Sequence, residues 1–316
     1  MMGVSRRGVV MAATAACAAV VATAGVRSAV ADHRERLPAS TLAVRVGNAW
    51  RTFWRSGRAP AQYHSTATPT LAPLISWRNA TRGLEWGELE LAGTGEAWRT
   101  RLVVVRVDSR HMRLALDTAF DHTSAGWKIG RAPGAAAFAV NAGQFISSMP
   151  WGWVVLDGHQ FLPAASAPLA TTITVNNDGS VQFVHGRAPE LTGIRWAFQS
   201  YPTILVNGAV PEAIRGTNRG IDVSHRDARL AIALDRAGRI IVAMTRFDAL
   251  GAAFDRAPFG LTTPEMAAIM GELGATDAVL LDGGISAQMV VRDSTGTAHE
   301  WPGIRAVPLA LVAYPR

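Results

Sequence analysis

The sequence contains one cysteine and one lysine among its 316 residues. Cys17 lies in an N-terminal stretch that we expect to be removed, so the mature chain can form no disulfide, use no thiol nucleophile and hold no cysteine-ligated metal. Lys128 is the one lysine, and arginine supplies the remaining basic residues. This skew is typical of GC-rich coding, so we expect no nucleic-acid partner despite a net charge of +7.

Charged residues are also scarce, at 17%, whereas apolar residues reach 49%, which excludes disorder as the main state. The histidines show neither of the spacings His-x-His and His-x-x-x-His, so a zinc site has little support. Ser286 does not fit a nucleophile elbow, because that motif needs glycine where Gln288 stands. A chain of this length and apolar content can bury one large core or two ordinary ones.

Residues 1–31 have the pattern of an export signal. They contain no acidic residue, begin with a pair of arginines at Arg6 and Arg7, continue through an alanine-rich run and end on an Ala-x-Ala site at 29–31. We predict cleavage before Asp32 and export to the periplasm or beyond, by the twin-arginine route. Cleavage would remove three arginines and no acidic residue, which lowers the net charge from +7 to +4.

Two other interpretations of this leader are weaker. A membrane anchor is disfavoured because Gly25 and Arg27 interrupt the apolar run, so we expect no stable membrane insertion after cleavage. A lipid anchor on Cys17 is disfavoured because Thr14 stands where leucine is usual.

The mature chain divides into an arm and a domain. Apolar residues at helical spacing predict a short helix in 41–55, and residues 56–73, rich in Pro, Ser, Thr and Ala, predict an exposed linker. We therefore assign residues 1–31 to the export signal, 32–76 to a helical and irregular N-terminal arm, and 77–316 to one domain.

The predicted domain is of the α+β class, a strand-rich mixed sheet with a few packing helices. Apolar runs flank turns of the Asp-x-x-Gly kind, which predicts hairpins at 171–184, 230–244 and 288–299 and a strand–turn–strand unit at 102–116. One helix is strongly indicated, with Thr262 or Thr263 as N-cap, Glu265 closing a capping box and Gly274 at its end.

A buried strand at 278–281 follows that helix and stops at Asp282-Gly283-Gly284. The two glycines would let a ligand approach main-chain N–H groups while the aspartate faces outward; a simple turn is an equally good interpretation.

Two more segments hold candidate functional residues. Asn141 and Gln144, beside Gly143, could bind sugar hydroxyls or phosphate oxygens, although a structural asparagine that closes a loop is favoured by spacing alone. Arg229 opens an apolar strand, where it could bind phosphate or pair with Asp222, Asp227 or Asp282.

Four segments, taken in order, match a known pattern: Asn-Ala-Gly-Gln-Phe at 141–145, the Pro-x-x-Leu-x-x-Gly stretch within 201–208, Arg-Leu-Ala-Ile-Ala at 229–233, and the helix with Leu-Asp-Gly-Gly-Ile-Ser at 260–286. With Arg305 before a closing strand, they make the chain resemble the phosphodiester glycosidase family over about residues 80–315. The chain departs from the family pattern beside the presumed site, where Ala142 and Ile285 replace glycines, Gln144 replaces an aromatic residue and Ala287 replaces a serine.

The resemblance implies an active site formed by Asn141, Arg229 and Asp282, and a substrate in which a sugar is joined through its anomeric carbon to a glycan phosphodiester. In our hypothesis Asp282 acts as the carboxylate at the anomeric carbon and Arg229 holds the phosphate. A second carboxylate would come from Asp277 or Asp222. The substrate-binding candidates are Gln144, Gly143, Gly283, Gly284, Ser286 and Arg305.

No cofactor or metal ligand is expected, although a divalent cation, Ca²⁺ or Mg²⁺, stays open. Two rival functions stay open as well. One is a non-catalytic module that binds an anionic wall or capsule polysaccharide. The other is a metal-dependent phosphodiesterase in which Asp277 and Asp282 bind the cation.

Overall fold

The computed structural model describes residues 39–63, 69–119, 126–215, 221–249 and 255–316. The predicted export signal lies outside these residues. The described strands are β1 (Thr41–Val46), β2 (Ala49–Arg55), β3 (Arg78–Thr81), β4 (Leu84–Gly93), β5 (Thr100–Val107), β6 (Met112–Thr118), β7 (Phe138–Asn141), β8 (Phe145–Ile146), β9 (Met149–Pro150), β10 (Val154–Leu156) and β11 (His159–Leu162). They continue with β12 (Thr171–Asn176), β13 (Val181–His185), β14 (Ile194–Ser200), β15 (Thr203–Leu205), β16 (Leu230–Asp235), β17 (Ile240–Phe247), β18 (Ala275–Leu281), β19 (Met289–Arg292), β20 (Ala298–Trp301) and β21 (Leu309–Pro315). The α-helices within the described ranges are α1 (Glu212–Arg215) and α2 (Thr263–Glu272).

A nine-stranded sheet forms the centre of the fold, in the order β15-β18-β16-β17-β5-β4-β1-β2 with β3 beside β4. Its strand pairings are all antiparallel, and so are those of the two five-stranded sheets and of the β8–β9 pair. The strand-rich prediction is confirmed, but the prediction of a mixed sheet is wrong for the described residues. Short turns account for the consecutive pairs such as β16–β17, because parallel pairs need long crossover connections, but not for distant pairs such as β5–β17.

The predicted helix in 41–55 is wrong, because this segment forms the β1–β2 hairpin. Leu42 and Val44 are buried on one face of β1, which is the period of two that a strand requires. Gly47, at φ +59°, makes the turn, a conformation that glycine adopts without strain. β1 also pairs with β4, so the hairpin is part of the central sheet.

The predicted exposed linker at 56–73 is only partly exposed. Leu71 has no exposed surface, and its N–H donates to the carbonyl of Glu272 at 3.0 Å. The segment therefore packs against the end of α2 where the structure describes it.

The two faces of the central sheet are covered differently. One face packs against the five-stranded sheets β11-β10-β14-β12-β13 and β20-β19-β7-β21-β6, and the shared core includes Phe138, Phe198 and Met289. The other face is covered by α2 and the N-terminal segments. The three predicted hairpins are confirmed as β12–β13, β16–β17 and β19–β20. The unit at 102–116 does form two strands, but β5 and β6 join different sheets.

Helix α2 begins as predicted. Thr262 is its N-cap; the Glu265 carboxylate accepts the Thr262 N–H at 2.8 Å, and the Thr262 hydroxyl accepts the Glu265 N–H at 3.4 Å. Glu265 is fully buried and forms a two-bond ion pair with Arg226 at 2.9 and 2.8 Å. Within the described ranges, no helix is long and apolar enough to cross a membrane.

Candidate active site

Three sheets meet where β18 ends. Leu281, its last residue, lies opposite Leu230 of β16 in the central sheet. Ser200, at the end of β14, donates its hydroxyl to the carbonyl of Leu280 at 2.5 Å. The N–H of Asp282 donates to the carbonyl of Gly143, just beyond β7, at 2.9 Å. The structure therefore brings the Asp282 and Asn141 segments together, as the sequence predicted.

Asn141 fixes the backbone around Asp282. Its side-chain amide donates to the carbonyl of Asp282 at 2.9 Å and accepts the N–H of Gln288 at 2.9 Å. The residue is 1% exposed, so both of its polar groups are used inside the protein. This geometry gives Asn141 the role of closing the loop between β18 and β19, the structural alternative that the sequence left open.

The glycines after Asp282 are required by close contacts. A Cβ at Gly283 would lie 2.4 Å from the carbonyl oxygen of Ala228 and 3.7 Å from the Cα of Arg229. Gly284 has φ +55° and donates its N–H to the same carbonyl at 2.7 Å. The glycine pair therefore lets the segment after β18 pack closely against the segment before β16. The Gly284 N–H donates to Ala228 and is not available to a ligand.

The Asp282 carboxylate lies in an electrostatically mixed environment. Burial raises its pKa, whereas the hydrogen bond from Ser286 and the positive charge of Arg305 lower it, and the negative charge of Asp227 raises it. The net direction is upward, so Asp282 holds a proton to higher pH than a solvated aspartate does. Ser286 is 3% exposed, and its hydroxyl is one of the two groups that lower the pKa of Asp282.

Arg229 is held mostly by backbone carbonyls. Its Nε donates to Leu261 at 2.8 Å, and a terminal nitrogen donates to the carbonyl of His225. Its strongest electrostatic partner is Asp227 rather than Asp282. The guanidinium thus ties together the loops on either side of it, which limits what it can offer to a substrate.

Arg305 is the cation whose charge acts on Asp282. It is exposed, and its guanidinium stacks over the ring of Phe145 at 4.7 Å. Its backbone N–H donates to the carbonyl of Ile285 at 2.9 Å, which anchors it to the loop that follows Asp282. Arg305 is thus better placed than Arg229 to meet a phosphate beside the carboxylate.

Gln144 lies at the rim of the site beside two aromatic rings. Its amide donates to the carbonyl of Tyr201 at 3.0 Å. Tyr201 is 38% exposed, and its ring meets that of half-buried Trp151 edge-on, with centroids 4.6 Å apart. Trp153 is instead buried, with its indole nitrogen bonded to Gln160. Of the two tryptophans near this segment, Trp151 is the one exposed to a ligand.

The Asp227 carboxylate lies beside the glycine loop, whereas the sequence suggested this residue only as an ion-pair partner of Arg229. A Cβ at Gly284 would lie 2.8 and 2.9 Å from its two carboxylate oxygens. No local signal could have revealed this contact, because the two residues are far apart in the chain and come from different connections.

Asp277 and Asp222, the two residues predicted as a second carboxylate, form hydrogen bonds with other groups. Asp277 accepts a hydrogen bond from the Asn207 N–H at 3.1 Å and contacts His185 at 2.8 Å. It stands five residues before Asp282 along β18, about 17 Å away in an extended strand. The Asp222 carboxylate accepts a hydrogen bond from the Ser224 hydroxyl within a turn at 2.8 Å, and its negative charge raises the pKa of Arg229.

A metal shared by Asp277 and Asp282 is therefore excluded by their separation. Across the ranges that the structure describes, no group of three or more His, Cys, Asp or Glu residues could hold a metal ion.

The family model for phosphodiester glycosidases matches residues 134–314, more than half of the chain. The fold and site thus define a strand-rich protein with a glycine-flanked aspartate at a strand end, and the chain belongs to the phosphodiester glycosidase family. The resemblance seen in the sequence is confirmed.

Solved structures share the fold. The catalytic domain of zebrafish N-acetylglucosamine-1-phosphodiester α-N-acetylglucosaminidase, auto-inhibited by its pro-peptide, is 16% identical, with a TM-score of 0.58 over 77% of this chain and 87% of that chain. A protein from Burkholderia pseudomallei is 16% identical, with a TM-score of 0.50 over 72% of this chain and 77% of that chain. No curated protein sequence matches the chain significantly.

Proposed function

We propose that the protein is an exported hydrolase that cleaves the glycosidic bond of a sugar-1-phosphodiester in a cell-envelope or extracellular glycan. The observation that carries this proposal is the half-buried Asp282 carboxylate at a strand end, with the hydroxyl of Ser286 and the positive charge of Arg305 acting on it, in a chain of this family. A carboxylate beside a cation suits a substrate in which a sugar carbon is bonded to a phosphate oxygen.

The reaction separates the anomeric carbon from a phosphate oxygen. Phosphate leaves readily, so strong acid assistance matters less than for an ordinary glycoside. Ionised Asp282 acts as nucleophile or base, or stabilises oxocarbenium character in the transition state. Arg305 stabilises the negative charge that develops on the departing phosphate, which is where electrostatic stabilisation contributes most.

The remaining predicted site residues serve this arrangement. Asn141 and Arg229 position the loops around Asp282 through their bonds to backbone groups. Gln144 lies beside Trp151 and Tyr201, whose rings offer an apolar face to a sugar. Because the chemistry uses the chain's own carboxylate and cation, we propose that no cofactor or divalent cation takes part.

Export by the twin-arginine route remains our proposal for the leader. It rests on Arg6 and Arg7, on the alanine-rich run and on the Ala-x-Ala site. A folded chain without disulfides is compatible with that route.

The test is product analysis with purified protein on a panel of sugar-1-phosphodiesters. We expect free sugar and a phosphomonoester, insensitive to chelator. Asp282→Asn should abolish sugar release and leave the protein folded, whereas Asp157→Asn, which removes the same charge from an exposed site paired with Arg195, should be active. Sugar phosphate as the product would indicate the phosphodiesterase function. Glycan binding without any turnover would indicate the binding module.

A further inference from the structure

The segment that carries Asp227 is held rigidly between two loops. The N–H of Asp227 donates to the carbonyl of Leu261 at 3.1 Å, and the N–H of Leu261 donates back to Asp227 at 2.9 Å. On its other side, the carbonyl of the next residue, Ala228, accepts the N–H of Gly284. The backbone of Asp227 therefore cannot move away from the glycine loop without breaking these bonds.

The Asp227 carboxylate points at the glycine loop. Both of its oxygens lie within 2.9 Å of where a Cβ of Gly284 would stand, two residues beyond Asp282. One of them, Oδ1, is buried and has no hydrogen-bond partner among the described residues. A buried carboxylate oxygen without a donor is unfavourable when charged, and the carboxyl group avoids that cost by holding a proton.

Several charged and polar groups among the described residues act on the two carboxyl groups. Asp282 faces the cation Arg305, the hydroxyl of Ser286 and the negative charge of Asp227. Burial raises the pKa of Asp227, opposed by the charge of Arg229, the N–H of Ala228 and the charge of His225, while Glu96 raises it slightly. Both residues are half-buried, and the cation beside each carboxyl group does not cancel the effect of this partial burial, because the net direction of the pKa shift is upward at both.

We propose that Asp227 is the second carboxyl group of the active site, and that its negative charge opposes the ionisation of Asp282 in the free enzyme. The pair, rather than either residue alone, then determines the pH at which the first carboxylate forms. Asp227 acts through Asp282 and is a positioning residue in this sense. This inference deepens the proposed function and rests on it for the identity of the reaction.

The physical consequence is that ionisation of one carboxyl group opposes ionisation of the other. Replacing Asp227 by the uncharged isostere asparagine removes the like charge, so Asp282 should ionise at lower pH, by on the order of one pH unit. The coupling is reciprocal, so Asp282→Asn should lower the pH at which Asp227 ionises by the same amount.

The experiment is a direct titration of the intact protein, which does not depend on turnover. Aspartate carboxyl groups are labelled with ¹³C, their NMR signals are followed from pH 3 to pH 9, and the signals of Asp227 and Asp282 are assigned by their loss in Asp227→Asn and Asp282→Asn. Asp277→Asn is the matched control, because it removes the same charge from the far end of β18. Asp227→Ser is the second variant, should the asparagine fold poorly.

Two results support the inference: reciprocal downward shifts in the two variants, and no shift of Asp282 in the Asp277→Asn control. An Asp282 signal that titrates at the same pH with and without Asp227 would overturn it. The sugar-release assay is run beside the titration. Reciprocal shifts without sugar release refute the proposed function alone. Sugar release without reciprocal shifts refutes the carboxyl pair alone, and an acidic limb of the kcat/KM profile unmoved in Asp227→Asn counts against it as well.

Discussion

Asn141→Ala tests whether the loop after Asp282 is held by a single side chain. The substitution leaves the carbonyl of Asp282 and the N–H of Gln288 without the partners that Asn141 provides at 2.9 Å each. A buried polar group without a partner costs about 1–3 kcal/mol, so the two together should lower the free energy of unfolding by about 2–6 kcal/mol. That is a large share of the roughly 5–15 kcal/mol typical of a folded domain.

The assay is urea unfolding followed by tryptophan fluorescence, with the slope of the unfolding free energy against urea compared between variants. Asn141→Asp separates the two bonds, because its carboxylate still accepts the Gln288 N–H but faces the Asp282 carbonyl with an oxygen. Protonation restores a donor towards that carbonyl, which raises the folded-state pKa of the new carboxyl group above its unfolded value. This restored stability is present at low pH and is lost as the pH rises through the folded pKa.

Relative to wild type at the same pH, Asn141→Asp should therefore be less destabilised at pH 4 than at pH 8. Two results would refute the reasoning: a cost of Asn141→Ala below about 1 kcal/mol, the net value of an ordinary hydrogen bond, or a deficit of Asn141→Asp that does not change with pH. The first result would mean that the backbone bonds of Asp282 and Gly284 hold the loop, and the second that the bond to the Asp282 carbonyl contributes little.

Two further predictions follow from the charged groups. Arg305→Ala should reduce kcat/KM for a sugar-1-phosphodiester about 100-fold and change kcat/KM for a neutral aryl glycoside little. Arg229→Ala should lower kcat/KM for both substrates alike, because the bonds of Arg229 are to backbone carbonyls. Equal losses on both substrates in the Arg305 variant would show that Arg305 does not bind the phosphate. Glu265→Ala should cost about 3–5 kcal/mol in urea unfolding, because it leaves the Arg226 charge unpaired. Glu90→Ala is its control at an exposed ion pair and should cost under about 1 kcal/mol; similar losses in both variants would contradict the buried-pair argument.

The sequence predicted those elements whose signals are local. Thr262 and Glu265 lie three residues apart, so the capping box was visible in the sequence, and the glycines after Asp282 marked the end of β18. The helix predicted at 41–55 failed because apolar spacing in a short segment fits two periods. The alternation of Leu42 and Val44, with Gly47 at the turn, was the better signal.

The contacts of the site were less accessible to sequence reasoning. Asn141 binds groups 141 and 147 residues away, and nothing in its own segment distinguishes a loop-closing amide from one that binds sugar. Asp227 reaches the site because β16 pairs with β18, and the sequence alone does not reveal which strands pair. The types of residue at the site were predictable, whereas their partners depended on sheet topology.

Two of the departures from the family pattern, Ile285 and Ala287, lie in the loop after Asp282 and change no charge. Ile285 is 40% exposed, and its carbonyl accepts the N–H groups of Ile304 and Arg305 at 2.8 and 2.9 Å, contacts that do not depend on its side chain. Ala287 has no exposed surface, and its carbonyl is held at 2.9 Å by the buried guanidinium of Arg246.

Arg246 also donates to the carbonyls of Trp301 and Pro302. The loop after Asp282 is therefore held by two side chains, Arg246 at Ala287 and Asn141 at Asp282 and Gln288. Asp282 and Arg305 are therefore positioned by backbone contacts that the substituted side chains leave in place. An exposed isoleucine beside the carboxylate changes the shape and polarity that a substrate meets. We therefore propose that the substitutions change the sugar or aglycone that the site accepts rather than abolish catalysis.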